Sequence, residues 1–156
     1  MSSQLAAARS VALPDGFWPD LGQGIGAIAL YAVVGVLLMV IGFYAIDFTT
    51  PGKLSELVRT GKPNAVIVTA SGMVSMAFII VFAILNSAND LTAGLIQSLV
   101  FGFVGLVAQV LATRLLEWIT RLGVGEIIEQ EAFAPVSAVV AAVHVSLGLV
   151  VAFAIL

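Results

Sequence analysis

Residues 63–89 read PNAVIVTASGMVSMAFIIVFAILNSAN and contain no lysine, arginine, aspartate or glutamate. Three other stretches of the chain share this property, and they comprise residues 21–46, 91–113 and 132–156. At a rise of about 1.5 Å per helical residue, even the shortest stretch, 91–113, reaches roughly 34 Å, which exceeds a hydrocarbon core of about 30 Å. The sequence therefore predicts four membrane-spanning helices.

The composition agrees with a membrane protein and excludes other classes. Of the 156 residues, 61% are hydrophobic and 10% are charged, whereas soluble domains contain roughly 25% charged residues. The net charge of −3 and the lack of a basic stripe argue against nucleic acid as a partner. The chain has no cysteine, which excludes a disulfide scaffold and a thiolate metal site.

The sequence contains none of the short motifs that mark common catalytic sites. We find no Walker loop, no zinc-binding pair of histidines and no GxSxG nucleophile elbow. We therefore expect a non-enzymatic protein that takes no cofactor and has the lipid bilayer as its surroundings.

The basic residues predict the orientation in the membrane, because short cytoplasmic loops are enriched in lysine and arginine. Five of the six basic residues follow the first or the third span, namely Lys53, Arg59, Lys62, Arg114 and Arg121. The sixth, Arg9, lies on the opposite side. Both longer loops are predicted to be cytoplasmic and both termini extracytoplasmic, with residues 1–20 as an N-terminal tail and residues 21–156 as the membrane domain.

An internal repeat is visible at a shift of 71 positions. This shift aligns residues 82–85, FAIL, with residues 153–156, which are also FAIL, and it superposes span on span and loop on loop. The two repeats comprise about residues 24–88 and 90–156. Each contains two spans, so the copies share one orientation and are related by an axis along the membrane normal. The predicted fold is all-α: an integral membrane four-helix bundle built from two parallel-repeat transmembrane hairpins.

The loop after the first span is predicted to form a short amphipathic helix. Thr50-Pro51-Gly52 is a helix-start signal, and Leu54, Leu57 and Val58 form an apolar face. Residues 123–130, GVGEIIEQ, are the acidic counterpart after the third span. These helices either dock a cytoplasmic protein, sense lipid packing, or only tie adjacent spans together. The candidate interaction residues are Lys53, Glu56, Arg59 and Lys62.

Residues 47–54, DFTTPGKL, and residues 61–65, GKPNA, lead into an apolar span and together resemble the YjfL-like family of small bacterial inner-membrane proteins. This family, also known as domain of unknown function 350 and UPF0719, is a duplicated two-helix unit. In the second repeat GEIIE at 125–129 fits the family, whereas EAFAP at 131–135 lacks the expected Gly/Asn pair. The resemblance implies a bacterial plasma-membrane location and a gene neighbourhood of polyamine-related enzymes and envelope-stress factors. It implies no catalytic residues.

His144 is the single histidine of the chain, and it is the sharpest candidate for an intramembrane polar site. It lies in the fourth span between Ala141 and Gly148, on the face of small residues, so it is predicted to point into protein. Ionisable groups at such depth are often functional. The functional hypothesis is a proton relay or a gated polar path past His144, Gln97, Ser98 and Gln109, with Gln97 and Ser98 at a depth comparable to that of His144. The structural alternative is a neutral histidine that hydrogen-bonds a serine or a backbone carbonyl.

Two local contacts are also predicted at the ends of the third span. Asn89 or Asp90 is expected to cap the start of that span, because either side chain accepts hydrogen bonds from free backbone N–H groups. Arg114 and Glu117 are three residues apart on a helix and are expected to pair.

Two functions from different classes follow from these observations. The first is a structural or accessory membrane protein, linked to envelope stress or polyamine metabolism, whose surface loops bind a cytoplasmic protein partner. The second is a small oligomeric channel or transporter with a polar path near His144. The faces of small residues predict a homo-oligomer in either case.

Overall fold

The structure, a computed structural model, describes residues 13–49, 53–87, 90–121 and 123–156. It contains four long helices, α1 (Phe17–Thr49), α3 (Pro63–Leu85), α4 (Leu91–Thr120) and α6 (Pro135–Ile155), and two short ones, α2 (Leu54–Arg59) and α5 (Val124–Glu129). Each long helix is sufficiently long and apolar to cross a membrane. The described residues form no strand. The prediction of an all-α bundle with four spans is confirmed.

The helix boundaries follow from local chemistry. Pro63 and Pro135 occupy the first turns of α3 and α6. Backbone N–H groups in the first turn have no partner within the helix, so proline, which lacks an N–H, breaks no hydrogen bond there. The Asp90 carboxylate accepts a hydrogen bond of 2.8 Å from the N–H of Ala93 and caps α4, as predicted. α4 ends at Thr120, and the next residue, Arg121, has a left-handed φ of 55°. The other predicted cap, Asn89, lies outside the described residues, as do the helix-start signal at 50–52 and residues 1–12 of the tail.

α3 is the central helix of the bundle and α1 is the peripheral one. Half of the membrane-spanning window of α3 is buried inside the protein, compared with 6% of the window of α1. α3 packs against α6, α4 and α1. The exposed side chains of α1 are almost all apolar, as expected of a helix that faces lipid.

Close approach of two backbones fixes the contact between α3 and α6. A Cβ atom added at Gly148 would lie 2.8 Å from the Cα atom of Ser75, so the two helices touch where glycine removes the side chain. A Cβ at Gly102 of α4 would lie 2.7 Å from Leu38 Cδ1 of α1. By contrast, nothing lies within 4 Å of such a Cβ at Gly35, where α1 leaves open space.

The two short helices close one end of the bundle. Leu54 of α2 and Val124 and Ile128 of α5 are buried in a shared apolar cluster with Val68 of α3 and Val140 of α6. The apolar faces of α2 and α5 therefore pack on the protein's own bundle, as expected of helices that tie adjacent spans together.

The order of the helices is long, short, long in both halves of the chain. The first N–H of each short helix also donates to the carboxylate seven residues before it. Leu54 N donates to Asp47 Oδ1 over 2.5 Å, and Val124 N donates to Glu117 Oε1 over 3.2 Å. Asp47 and Glu117 are 70 positions apart (117 − 47), one fewer than the predicted shift. These features favour a duplication, which stays a prediction.

Candidate functional site

Three helices bring five polar side chains into one buried cluster. α3 contributes Ser71 and Ser75, α4 contributes Gln109 and Thr113, and α6 contributes His144. On α3 and on α4 the two residues are four positions apart, which places them on one face of the helix. We call these five residues the His144 cluster.

Every polar group of His144 has a partner. The ring nitrogen Nδ1 lies 3.2 Å from Ser71 Oγ, and Nε2 lies 2.8 Å from Thr113 Oγ1. The backbone carbonyl of His144 accepts a hydrogen bond of 2.7 Å from Ser75 Oγ. Only 2% of the residue is exposed. The ring is therefore held at both nitrogens by hydroxyl groups from two different helices.

The two hydroxyl groups beside the ring can donate in more than one direction. The Ser71 hydroxyl lies 2.8 Å from the carbonyl oxygen of Val68, and the Thr113 hydroxyl lies 3.0 Å from that of Gln109. A neutral imidazole has one N–H and one lone pair, so one of these hydroxyls turns its proton to the ring. Helical carbonyls of this kind are optional partners for Ser and Thr. The cluster thus accommodates a neutral ring in either tautomer.

Gln109 joins the cluster through Ser75. Its Nε2 donates to Ser75 Oγ over 2.5 Å, and Ser75 in turn donates to the carbonyl of His144. Gln109 is 2% exposed. Among the described residues, no partner is available to its carbonyl oxygen Oε1. The predicted candidates His144 and Gln109 are therefore brought together, with one serine between them.

The structure does not bring the other two predicted candidates to His144. Ser98 lies 11 residues before Gln109 on α4, which is about 16 Å along the helix, and within the described part of the chain neither Ser98 Oγ nor Gln97 Oε1 has a hydrogen-bond partner. The expectation that Gln97 and Ser98 lie at the depth of His144 is not met, because the ring contacts Thr113, and α4 extends to Thr120 while α6 begins only at Pro135.

Sequence reasoning missed Ser71, Ser75 and Thr113. Each is a small hydroxyl residue in an apolar helix, where it resembles an ordinary packing residue. The available signal was the spacing: Ser71 and Ser75 repeat at four residues, as do Gln109 and Thr113. Which helix faces which could not be read from that spacing alone.

The chemistry open to the His144 cluster is limited by its surroundings. α3 and α6 carry no Asp, Glu, Lys or Arg, and the nearest charged residues in sequence, Arg114 and Glu117, pair with each other over 2.9 Å as predicted. Across the described ranges, no group of three or more His, Cys, Asp or Glu side chains could hold a metal ion. The cluster can exchange hydrogen-bond directions, and the carboxylate of Glu117, one turn beyond Thr113 on α4, is engaged by Arg114 and by the N–H of Val124.

A second polar site lies where the two hairpins meet at the α2 and α5 end. The side chain of Asn64, buried in the first turn of α3, donates to the carbonyl of Ala132 over 2.8 Å and to that of Gln130 over 3.4 Å. Its Oδ1 accepts a hydrogen bond of 2.8 Å from the N–H of Ala134. One residue of the first hairpin therefore holds the segment that leads into α6. We call this arrangement the Asn64 clamp.

The four predicted surface residues differ in their surroundings. Lys53, Glu56 and Arg59 are exposed on α2 or just before it, whereas Lys62 is half-buried and pairs with Glu131 over 2.8 Å. The hydrogen bond and the positive charge of Lys62 lower the pKa of the fully exposed Glu131 carboxyl from its ordinary value of 4.5. Three of the four candidates thus form an exposed polar surface, and the fourth links the two hairpins.

Comparison with known proteins identifies the family. The family model described as Domain of Unknown Function (DUF350) matches residues 20–155. A "UPF0719 transmembrane protein" of Mycolicibacterium paratuberculosis is 34% identical over 134 residues, which cover 85% of this chain and 89% of the relative. UPF0719 transmembrane proteins of Mycobacterium bovis and Mycobacterium tuberculosis are each 40% identical over 81 residues, which cover 51% of this chain and 53% of each relative. No solved structure matches.

The chain therefore belongs to the DUF350 family, as its resemblance in the loop sequences predicts. It is a multi-pass membrane protein, since its relatives are transmembrane proteins and four of its helices are able to span a bilayer.

Proposed function

We infer that this protein is a non-enzymatic accessory or structural component of the bacterial plasma membrane, with both termini extracytoplasmic and both short helices at the cytoplasmic surface. The distribution of basic residues supports this orientation, since four of six lie in or beside the two loops that contain α2 and α5, and a fifth, Arg114, lies in the last two turns of α4. In this role the four spans form a scaffold, and the surface of α2 binds a cytoplasmic protein.

The hydrogen bonding of His144, whose polar groups all have partners within the protein, supports this role more than any other observation. Both ring nitrogens and the backbone carbonyl are engaged by residues of the protein's own helices. A residue that relays protons needs a path to water or to another ionisable group. The ring is instead enclosed by Ser71 and Thr113, which act as interhelical hydrogen-bond partners.

The exposed surface of α2 supports the binding part of the proposal. Lys53, Glu56 and Arg59 extend from a helix whose apolar face is already buried against the bundle, with Leu54 fully buried. The rigid base leaves the charged side chains available to a partner with complementary charges. The partner system that the family resemblance implies is related to envelope stress or polyamine metabolism.

Photo-crosslinking in bacterial cells tests the binding part. A crosslinking amino acid in place of Arg59 is expected to capture a cytoplasmic protein, which mass spectrometry then identifies. The matched control replaces Thr92, which is exposed at the opposite end of the bundle, and is expected to capture none of it. Equal capture at both positions, or capture of lipid alone at Arg59, would contradict the proposal.

A small oligomeric channel or transporter is the second candidate. The observation in its favour is that buried polar atoms on α4, Gln97 Oε1, Ser98 Oγ and Gln109 Oε1, have no partners among the described residues. Because these atoms and His144 are buried inside one bundle, this candidate requires the helices to rearrange in a homo-oligomer so that the atoms line a polar path past His144. A mass measurement in detergent gives the oligomeric state, and a flux that depends on His144 would support this candidate.

A further inference from the structure

A small cavity lies between α1, α3 and α4, next to the His144 cluster. Its volume open to the centre of a water molecule is about 10 Å³. Its lining includes Met39 and Gly42 of α1, Thr69, Gly72 and Met76 of α3, and Gln109 of α4. The α3 residues repeat at three and four positions, so they occupy one face of that helix. A space of this size is at the lower limit of what one water molecule requires, about 10–15 Å³.

Two side chains of this cavity carry buried oxygen atoms without partners. Thr69 is 5% exposed and Gln109 is 2% exposed. Within the described residues, neither Thr69 Oγ1 nor Gln109 Oε1 has a hydrogen-bond partner. A buried polar atom without a partner destabilises a fold, and the two residues belong to different helices that line the same space.

We propose that this cavity is a binding site for one water molecule, which bridges Thr69 and Gln109. The water donates one hydrogen bond to Gln109 Oε1 and exchanges a second with the Thr69 hydroxyl. Two polar partners are the minimum that retains a buried water. A hard cation such as Na⁺ or Mg²⁺ is a poorer occupant, because two oxygen atoms fall far short of the six that such ions prefer.

The bound water makes one continuous chain of hydrogen bonds across the bundle. The chain runs from Thr69 through the water to Gln109, then to Ser75 and to the backbone carbonyl of His144. It ties α3, α4 and α6 together through polar contacts in an otherwise apolar interior. The two atoms without partners become members of a satisfied network, which is the arrangement that folded interiors favour.

The effect of Thr69→Val on the thermal midpoint has opposite signs in a wet and in a dry cavity, so this substitution is the first test. Thr69→Val removes the hydroxyl with little change in shape. With water bound, the variant loses the bridge and leaves Gln109 unpaired, so the thermal midpoint in detergent falls by several degrees. In a dry cavity the same change removes an unpaired polar atom, so the midpoint rises. Thr92→Val, at an exposed position of α4, controls for the change of residue type.

Gly42→Ala is the second test, and it acts by filling space. An added Cβ would lie 3.6 Å from Leu106 Cδ1 and 3.7 Å from Met76 Cγ, so it fits without a clash. It displaces the water and is expected to lower the midpoint relative to Gly35→Ala, where nothing lies within 4 Å. Gly35→Ala reports the gain in helix propensity alone. A midpoint for Gly42→Ala equal to or above that of Gly35→Ala would overturn the proposal.

A direct readout is magnetisation transfer from water to the Gln109 side-chain amide in NMR spectra of the protein in bilayers. The transfer is expected in the unmodified protein and is expected to be lost in Thr69→Val and in Gly42→Ala. Absence of the transfer in the unmodified protein would overturn the proposal.

Three methionines line the cavity, namely Met39, Met73 and Met76, and thioethers select soft cations. If Ag⁺ raises the thermal midpoint of the unmodified protein and Met76→Leu abolishes this rise, the occupant is a soft cation, which would overturn the proposal of a bound water.

Discussion

The first hairpin, α1 to α3, and the second hairpin, α4 to α6, share one plan but differ in what they contribute. Both have a long helix, a short helix that buries its apolar face, a carboxylate that caps the short helix, and a second long helix that begins with proline. The first hairpin alone supplies the Asn64 clamp, and the second alone supplies a histidine. The shared plan forms the scaffold, and the differences are found where the two hairpins touch.

The clamp explains one of these differences. Asn64 is the second residue of α3, and the second residue of α6 is Val136. The Asn64 side chain reaches out of its own hairpin and satisfies backbone groups of residues 130–134 in the other. The junction is therefore held from one side, by a side chain of the first hairpin.

The largest effect is expected at Gly148, where α6 of the second hairpin touches the backbone of α3 in the first. A valine side chain there collides with the backbone of Ser75, so Gly148→Val is expected to separate α6 from α3 and to prevent assembly of the native bundle. Overpacking destabilises by about 1–3 kcal/mol when neighbours can adjust, and because the colliding group here includes the backbone of Ser75, the loss is expected to reach or exceed the top of that range. The measurement is thermal unfolding in detergent. Gly35→Val, which faces open space on α1, is the control, and equal losses in the two variants would contradict the packing.

Asn64→Ala is expected to have the next largest effect, because it removes hydrogen bonds to three backbone groups of the other hairpin. The N–H of half-buried Ala134 and the carbonyl of exposed Ala132 lose their partners, which is expected to destabilise by about 1–2 kcal/mol. Chemical unfolding followed by tryptophan fluorescence measures the loss. Asn86→Ala, at an exposed residue after α3, serves as the control. A loss no greater than that of the control would mean that the clamp carries no stability.

The two carboxylate caps allow a direct comparison of the hairpins at smaller magnitude. Asp47 accepts from Leu54 N over 2.5 Å, whereas Glu117 accepts from Val124 N over 3.2 Å and also pairs with Arg114. Asp47→Ala is expected to lower the unfolding free energy by about 1 kcal/mol, in the range of helix caps, and Glu117→Ala by less. The reverse order in matched unfolding experiments would show that the longer contact is the stronger.

The smallest effect is expected from the exposed pair of Lys62 and Glu131. The pKa of the Glu131 carboxyl is lower in the folded protein than in the unfolded chain. The pair therefore stabilises the fold above the unfolded pKa, and this contribution is lost as pH falls through the folded pKa. Because exposed pairs are screened, it is small and vanishes in high salt. The difference in midpoint between the unmodified protein and Glu131→Gln is expected to shrink below about pH 4; a constant difference would contradict this account.

Much of the fold could be predicted because it depends on simple physical quantities. The length of uncharged sequence fixes the number of spans, and Asp90 and the Arg114–Glu117 pair follow from spacing within one helix. The observed helix boundaries differ from the predicted span boundaries where residues of the membrane interface extend a helix. α4 continues to Thr120, seven residues beyond the uncharged stretch 91–113. Charged side chains at a helix end reach the headgroup region and do not stop the helix.

The candidate site was predictable only in part. His144 and Gln109 are visible in the sequence because they are large polar residues among apolar ones. Their partners Ser71, Ser75 and Thr113 are indistinguishable from packing residues until the helices are placed side by side. The same holds for Asn64, whose partners are 66 to 70 residues away. Contacts between hairpins depend on rotation and depth, which periodicity does not specify.

The most direct test of the central claim, that the His144 cluster holds the bundle together and conducts nothing, is ion flux through liposomes that contain the purified protein. The account predicts a flux equal to that of empty liposomes, both for the unmodified protein and for His144→Ala, with the exposed Ser146→Ala as the matched control. A flux above that of empty liposomes that persists in Ser146→Ala and disappears in His144→Ala would contradict it.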